Sequence, residues 1–455
     1  MKQHDLTDGA VRSTLFRFTL PFLAASLLQF LYGAADLVIV GRFADTAGVS
    51  AVSTGSQIMM AVTGLIMGLA SGGTVIIGQY WGAARRQDVS ETIGTMFTFF
   101  SIFAVVMTGV VTACAGHFVR WMRVPEAAVD DAWAYIFICG CGIIFISGYN
   151  MVSGILRGLG DSKNPMIFVL IACGANILGD LLLVGPLQMG AAGAAIATVF
   201  AQGLSLLLSV IILRRRDFPF DFRFSSFRIR RKKLFTLIRI GTPAALQNIL
   251  VSLSFLIIAA TVNNIGLAES AAVGAAGRIS DFCMMGPISF FSSVSAMTAQ
   301  NIGAGRPERA RQTLRWGILF SLVFGLVMFT LIQIFPGQAI GIIRSDPAVM
   351  EAGTLYLRTF SFDVILVCFV FSLNGFFGGC GRTGFAMMNA LASTFAVRVP
   401  VTLLVSSMPG ATLLHIGLAA PLASAVQIII QLIYYRLGRW KNGAVVEAAT
   451  PEAAI

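Results

Sequence analysis

The chain has 455 residues and a mass of 48.5 kDa, with 56% hydrophobic and only 12% charged residues, 47 Gly, 36 Phe and a mean hydropathy of +0.83. An ordinary soluble domain carries about a quarter charged residues and a disordered chain lacks such apolar content, so both are excluded and an integral membrane protein is expected. The 32 Lys and Arg against 21 Asp and Glu give +11; in so apolar a chain this excess belongs to cytoplasmic loops, and no nucleic-acid partner is expected.

The first apolar run, about Thr14 to Val40, is too long for a signal-peptide core and reads as a first membrane span. Apolar stretches of about twenty residues, broken by polar or Gly/Pro punctuation, then predict twelve transmembrane helices near 14–40, 47–81, 88–116, 127–158, 162–187, 190–213, 234–262, 268–303, 308–336, 348–379, 383–409 and 413–438. The expected fold class is all-α and integral to the membrane, as two pseudo-symmetric six-helix bundles. The N-lobe covers 1–213, a basic linker 214–233, the C-lobe 234–440 and a short tail 441–455. All seven Cys read as buried thiols; Cys139 and Cys141, two residues apart on one helix, point to different faces and suit neither a disulfide nor a metal.

Twelve spans put Arg85, Arg86, Arg157, Lys163, Arg306, Arg309, Arg311, Arg382, Arg436, Arg439 and Lys441 on one side, and only Arg42, Arg120, Arg123 and Arg344 on the other. The positive-inside rule then places both termini in the cytoplasm of a multi-pass plasma-membrane protein, with membrane lipid as a partner. The stretch Arg214 to Lys233 is expected to fix topology beside anionic lipid.

The second half repeats the first at an offset of 221 residues. Gln79, Gly82, Ala83 and Arg85 of GQYWGAARR meet Gln300, Gly303, Ala304 and Arg306 of AQNIGAGRP; Tyr135 meets Tyr356; Gly154, Gly158 and Gly160 meet Gly375, Gly379 and Gly381. An even number of spans per repeat makes the two halves parallel about an axis along the membrane normal, and two such bundles facing each other leave a central cavity.

An ionised Asp within a span costs roughly 2.5–3.5 kcal/mol, so each one requires a reason. Asp36 lies fifteen residues after Pro21 on the first helix; it serves either as a structural carboxylate near Arg42 or as a functional one. Asp180 has Asn176 one turn earlier on the same face, and Thr198 on the next helix can add a hydroxyl. Carboxylates, an amide carbonyl and a hydroxyl are the hard oxygen ligands of a small cation, and two adjacent carboxylates can instead hold a proton. At the 221 offset Asp36, Asn176, Asp180 and Thr198 fall on Ile257, Val397, Val401 and Ala419, so this set exists in one half only, which favours function over architecture. Arg278 and Asp281 are expected to neutralise each other, with a role in substrate binding as the alternative, and Asp363 with Arg358, and Arg398, either line the cavity or snorkel; Arg278, Asp281 and Asp363 are the secondary site candidates.

The pattern resembles the multidrug and toxic compound extrusion (MATE) family of secondary transporters. The resemblance is carried over nearly the whole chain by Pro21 with Asp36 and the following VGRF, the paired GQYWGA and AQNIGA segments, the LRGLGD turn, and Asn176-x-x-x-Asp180 with Thr198. It implies a V-shaped pair of lobes exporting organic cations and amphipathic compounds in exchange for Na⁺ or H⁺, in a bacterial inner membrane. Carried over by residue, it implies a cation site at Asp36, Asn176, Asp180 and Thr198 (the Na⁺ ligands in a sodium-coupled protein), a cavity lined by Tyr32, Tyr135 and Ser153, and a helix bend at Pro21. The branch of the family with a Glu eight residues after the proline of the seventh helix is not matched, since Pro243 plus eight is Val251. No cofactor besides the coupling ion is implied, and a monomer is expected.

The alternative within the same superfamily is a lipid-linked oligosaccharide flippase, which would line its cavity with several cations; here the clear cavity charges are acidic. An enzyme is not expected: HExxH, G-x-S-x-G and P-loop patterns are absent, and His4, His117 and His415 are scattered.

Overall fold

In a computed structural model of the chain the described residues are 5–214, 218–408, 410 and 412–445. Residues 215–217 of the expected linker and 446–455 of the expected tail lie outside them. The helices in order are α1 (Val11–Phe43), α2 (Thr46–Gly82), α3 (Arg86–Trp121), α4 (Val129–Cys141), α5 (Ile143–Gly158), α6 (Lys163–Leu183), α7 (Gly190–Arg214), α8 (Arg231–Asn263), α9 (Leu267–Gly303), α10 (Pro307–Ile334), α11 (Pro336–Gly341), α12 (Pro347–Gly379), α13 (Thr383–Ser393), α14 (Val399–Ser406), α15 (Leu413–Gly417) and α16 (Ala419–Arg436). Among the described residues eleven helical segments are long and apolar enough to cross a membrane, and twelve if the bent pair around Gly142 is one span. That pair, expected as a single helix over 127–158, bends by 46° between Glu126–Cys141 and Ile143–Gly158. A Cβ at Gly142 would collide with the Val199 side chain at 2.5 Å, so glycine lets α7 approach the bend.

The repeat is visible in the elements themselves. α2 and α9 each span 37 residues at an offset of 221, and α1 and α8 each span 33. Its glycines are sites of close helix approach: a Cβ on Gly158 would stand 2.8 Å from the Thr74 carbonyl oxygen, and one on Gly379 would stand 2.5 Å from that of Ser295, its counterpart. Gly154 faces the Ala70 carbonyl and Gly375 the Phe291 carbonyl in the same register. The chain reverses after α5 and α12 through Gly160 and Gly381, with φ of +86° and +78°, a region open to glycine at no steric cost. One packing contact is kept with the partners exchanged: Gly73 on α2 receives the Met96 side chain of α3, whereas Gly317 on α10 receives Val294 of α9.

The described residues form two compact units, Leu20–Ala245 and Asp5–Thr19 with Leu246 onward. The boundary therefore differs from the 213/234 division expected from the linker. α1 and α8 each change unit partway along, beside Pro21 and Pro243. Neither proline breaks its helix. The missing N–H at Pro21 removes one rung of hydrogen bonding where α1 leaves the packing of one unit for the other, so the bend implied there is a local loss of support within a continuous helix.

The segments preceding these two helices are docked by equivalent means. Within the second unit Asn301 Nδ2 donates to the Leu6 carbonyl (3.3 Å), Gln300 Oε1 accepts from the Leu6 N–H (3.2 Å), and Arg306 and Arg309 donate to the Thr7, Asp8 and Gly9 carbonyls. Within the first unit Thr95 Oγ1 accepts from the Arg230 N–H (3.2 Å), and Lys233 pairs with Asp88 at 2.5 Å while lying 3.7 Å above the Tyr80 ring. Phe97 packs against Phe220, Phe222 and Phe227, so the described part of the basic linker is seated on α3. In that linker the Ser226 hydroxyl donates to Asp221 at 2.5 Å and holds its carboxyl below the usual carboxylate range.

The cysteines are all free; Cys139 is buried and Cys141 exposed, as their two-residue spacing on α4 requires, and Cys114 is half-buried. The expectation of buried thiols therefore holds for five of the seven and is corrected at Cys114 and Cys141, which face outward from their helices.

Candidate functional site

Three i,i+4 pairs converge in the first unit: Tyr32 and Asp36 on α1, Tyr135 and Cys139 on α4, Asn176 and Asp180 on α6. α7 adds Thr198 beside the α6 pair, because Gly179 leaves no room for a Cβ against Ala197, where one would stand 2.8 Å from the alanine methyl. Asp180 is fully buried and Asn176 is 2% exposed. With the Asn176 amide oriented by its surroundings, Nδ2 donates to Asp180 Oδ2 at 2.9 Å, and the carbonyl oxygen accepts from the Thr198 N–H at 3.2 Å and its hydroxyl at 3.3 Å. The Asp36 and Asp180 side chains come within hydrogen-bonding reach of each other, and the Tyr32 hydroxyl within reach of Thr198. Tyr135 shares a 3.1 Å hydrogen bond with Ser56 of α2 and lies beside Cys139.

The four residues expected to bind a cation are thus brought together, with Tyr32 and Tyr135 next to them. One oxygen each of Asp36 and Asp180 is buried without a hydrogen-bond partner. Two orphaned carboxylate oxygens with an amide carbonyl and a hydroxyl fit a small hard cation, and the contact between the carboxyl groups is equally met by one proton held between them. Among the described residues no group of three or more His, Cys, Asp or Glu is placed to hold a metal.

Ser153 stands apart from this group. It follows Tyr135 by eighteen residues of the bent span, roughly 25 Å of helix rise, and sits in the neighbourhood of Tyr149 and Arg157 instead. Ser56 and Cys139 also belong to the cluster; Cys139, read from the sequence only as a buried thiol, carries a signal in lying one turn from Tyr135, whereas Ser56 lies in a Ser- and Gly-rich span and carries none.

The second unit carries a different polar group. Asp363 on α12 is 6% exposed and accepts from the Ser424 hydroxyl of α16 at 2.5 Å. Its electrostatic partner is Arg398 and not Arg358, which is exposed and uses its carbonyl to accept from Gln333. Arg398 ends a π-helical turn, Thr394–Arg398, between α13 and α14. Pro400 follows, and the wider turn spares its ring a clash with the preceding carbonyl. The guanidinium lies over the Phe255 ring, 4.2 Å from its centroid. Arg278 and Asp281, expected to neutralise each other, are both exposed, and their charged groups form no ion pair: the i,i+3 spacing puts them in range without forcing contact.

A sequence profile of the MatE family matches residues 21–182 and 243–404, one copy in each half. The chain is 28% identical over 450 residues to a probable multidrug resistance protein, YpnP, of Bacillus subtilis, covering 97% of this chain and 98% of the relative. It is 25% identical over 447 residues to a probable multidrug resistance protein, NorM, of Thermotoga maritima (96% and 94% covered), and 24% identical over 365 residues to an FAD transporter of Shewanella oneidensis (78% and 79% covered). Its fold matches that of a MOP superfamily transporter from Pyrococcus furiosus with a TM-score of 0.91 at 20% identity, over 97% of this chain and 99% of the other. It matches an outward-facing multidrug resistance MATE family transporter with a TM-score of 0.91 at 21% identity and the same coverage.

Proposed function

Because the chain belongs to the MATE family of multi-pass membrane transporters, we propose that it works as an antiporter, exporting organic cations and amphipathic compounds against an inward flow of Na⁺ or H⁺. The reading rests on one observation above all: half-buried Asp36 and fully buried Asp180, with Asn176 and Thr198, form a hard-oxygen site in which one buried oxygen of each carboxyl group is unsatisfied, on two membrane spans. A charge that costly to bury is retained where an ion or proton passes.

In this reading the ion or proton occupies Asp36 and Asp180 from one side of the membrane, cargo leaves, and the emptied site reloads from the cytoplasm. Coupling requires that the loaded carboxylates favour one arrangement of the protein and the empty ones another; without that difference the ion does no work. Asn176 holds Asp180 in place, Thr198 supplies a hydroxyl oxygen, and Tyr32 and Tyr135 give the site an aromatic border. The count of Lys and Arg on each side of the spans supports cytoplasmic termini in a bacterial plasma membrane.

The test is export of a fluorescent cationic dye from cells expressing the wild type or Asp36→Asn, with Na⁺ and pH gradients imposed separately. Export driven by one gradient and lost in the variant supports the antiporter and identifies its ion. Export that persists in the variant moves coupling away from Asp36, and no export under either gradient favours the oligosaccharide flippase.

A further inference from the structure

We propose that Arg398, with the Phe255 ring beneath it, is a selectivity-determining residue of the second unit that receives a carboxylate on the cargo. The inference deepens the transport reading above and rests on it.

Arg398 lies fifteen residues into the span that begins at Thr383 and eight before its end at Ser406, so the shorter way to the surface is about 12 Å of helix rise, longer than its own side chain. A guanidinium at such depth costs roughly 2.5–3.5 kcal/mol on insertion scales and needs a partner. None of its N–H groups makes a hydrogen bond or ion pair among the described residues, although the side chain is partly accessible. Asp363 supplies charge at longer range but is committed to Ser424, and the two ionic groups do not meet. What remains is a planar fork of five donors with an aromatic face under it, the geometry that takes a carboxylate bidentately while an aromatic body packs alongside. The π-helical turn at Thr394–Arg398 is the kind of irregularity that aims a side chain away from its helix register. The corresponding position in the first unit is Ile177, so the cation is no part of the repeated packing.

Tetramethylrhodamine and its methyl ester share one cationic chromophore and differ by a free carboxylate. Uptake of each into everted vesicles, and fluorescence anisotropy of each with the purified protein, separates transport from recognition. In Arg398→Gln, uptake and binding of the free acid are expected to fall about tenfold or more relative to the ester, with Arg398→Lys intermediate because it keeps charge but loses the fork. The double variant Asp363→Asn/Arg398→Gln addresses the competing role of neutralising Asp363: recovery of the free acid in it overturns the proposal, as does an equal loss of both dyes in Arg398→Gln. If wild-type vesicles take up neither dye, the transport reading fails for this cargo, and anisotropy alone decides: acid binding that depends on Arg398 sustains the proposal, and binding that does not refutes it.

Discussion

Asn176 offers the sharpest test of the cation site, because its amide makes three contacts and each has a calculable consequence. Asn176→Ala removes the 2.9 Å hydrogen bond to Asp180 and the acceptor for both the N–H and hydroxyl of Thr198, in surroundings where Asn176 is 2% exposed and Asp180 fully buried. A hydrogen bond to a charged group contributes about 1.5–3 kcal/mol, and water cannot replace it freely at such burial. If the whole loss falls on the loaded site, the ion concentration for half-maximal dye efflux rises roughly ten- to 150-fold. The assay is ion-driven efflux from proteoliposomes at graded ion concentration, with the apparent melting temperature in detergent to establish that the variant is folded. Ser153→Ala is the comparison, and its ion dependence should match the wild type, since Ser153 stands roughly 25 Å along the bent span from Tyr135. A half-saturating concentration within about twofold of wild type in Asn176→Ala, or an equal rise in Ser153→Ala, would refute the assignment.

Other consequences concern the scaffold. Gly158→Ala and Gly379→Ala each press a methyl against a backbone carbonyl that cannot step aside, and each should destabilise by about 1–3 kcal/mol as read by detergent melting. Gly174→Ala, with nothing within 4 Å of the new methyl, should be neutral or stabilising by about 0.5–1 kcal/mol; equal behaviour of all three would show that the close approaches carry no weight. Lys233→Ala loses the Asp88 pair and the Tyr80 contact, and the basic linker should then be cut by trypsin faster than in wild type, whereas an unchanged rate would mean that the aromatic contacts hold it alone. Ala84 occupies φ +55° where its repeat counterpart is Gly305, so Ala84→Gly should raise the melting temperature slightly, and a fall would mean that the turn is unstrained.

The spans were legible because a twenty-residue apolar run has few alternatives in a bilayer, and the repeat because close-packed glycines recur at a fixed spacing wherever two helices touch. The grouping of Asp36, Asn176, Asp180 and Thr198 was legible for a related reason: each Asp within a span is expensive, and Asn176 lies one helical turn from Asp180. Where hydropathy varies little, the reading fails. The bend at Gly142 sits in an unbroken apolar stretch and depends on Val199, fifty-seven residues further on, which no local pattern reveals. Ser153 was grouped with Tyr32 and Tyr135 through family resemblance, without regard to helix rise. The exchange of the first segments of α1 and α8 between units, and the choice of Arg398 over Arg358 as the neighbour of Asp363, depend on tertiary contacts that a linear pattern does not contain.

The two halves preserve packing and diverge in chemistry, and this divergence separates scaffold residues from candidate functional ones. Gly158 and Gly379 are repeated because each lets a helix approach a carbonyl, and a Cβ at either position would be refused for the same steric reason. Asn176, Asp180 and Thr198 become Val397, Val401 and Ala419, whereas Asp363, Arg398 and Ser424 become Gly142, Ile177 and Gly203. Each half has therefore lost the polar side chains of the other while keeping its helices in register, and only Tyr135 and Tyr356 persist in both clusters. A fold that needed these charges for assembly would need them twice. One unit offers unpaired carboxylate oxygens, suited to a coupling cation, and the other an unpaired guanidinium, suited to an anion. A zwitterionic cargo would leave the carboxylate site to the ion and take the guanidinium for itself, so the charge asymmetry of the halves is the feature on which ion and substrate would be kept apart.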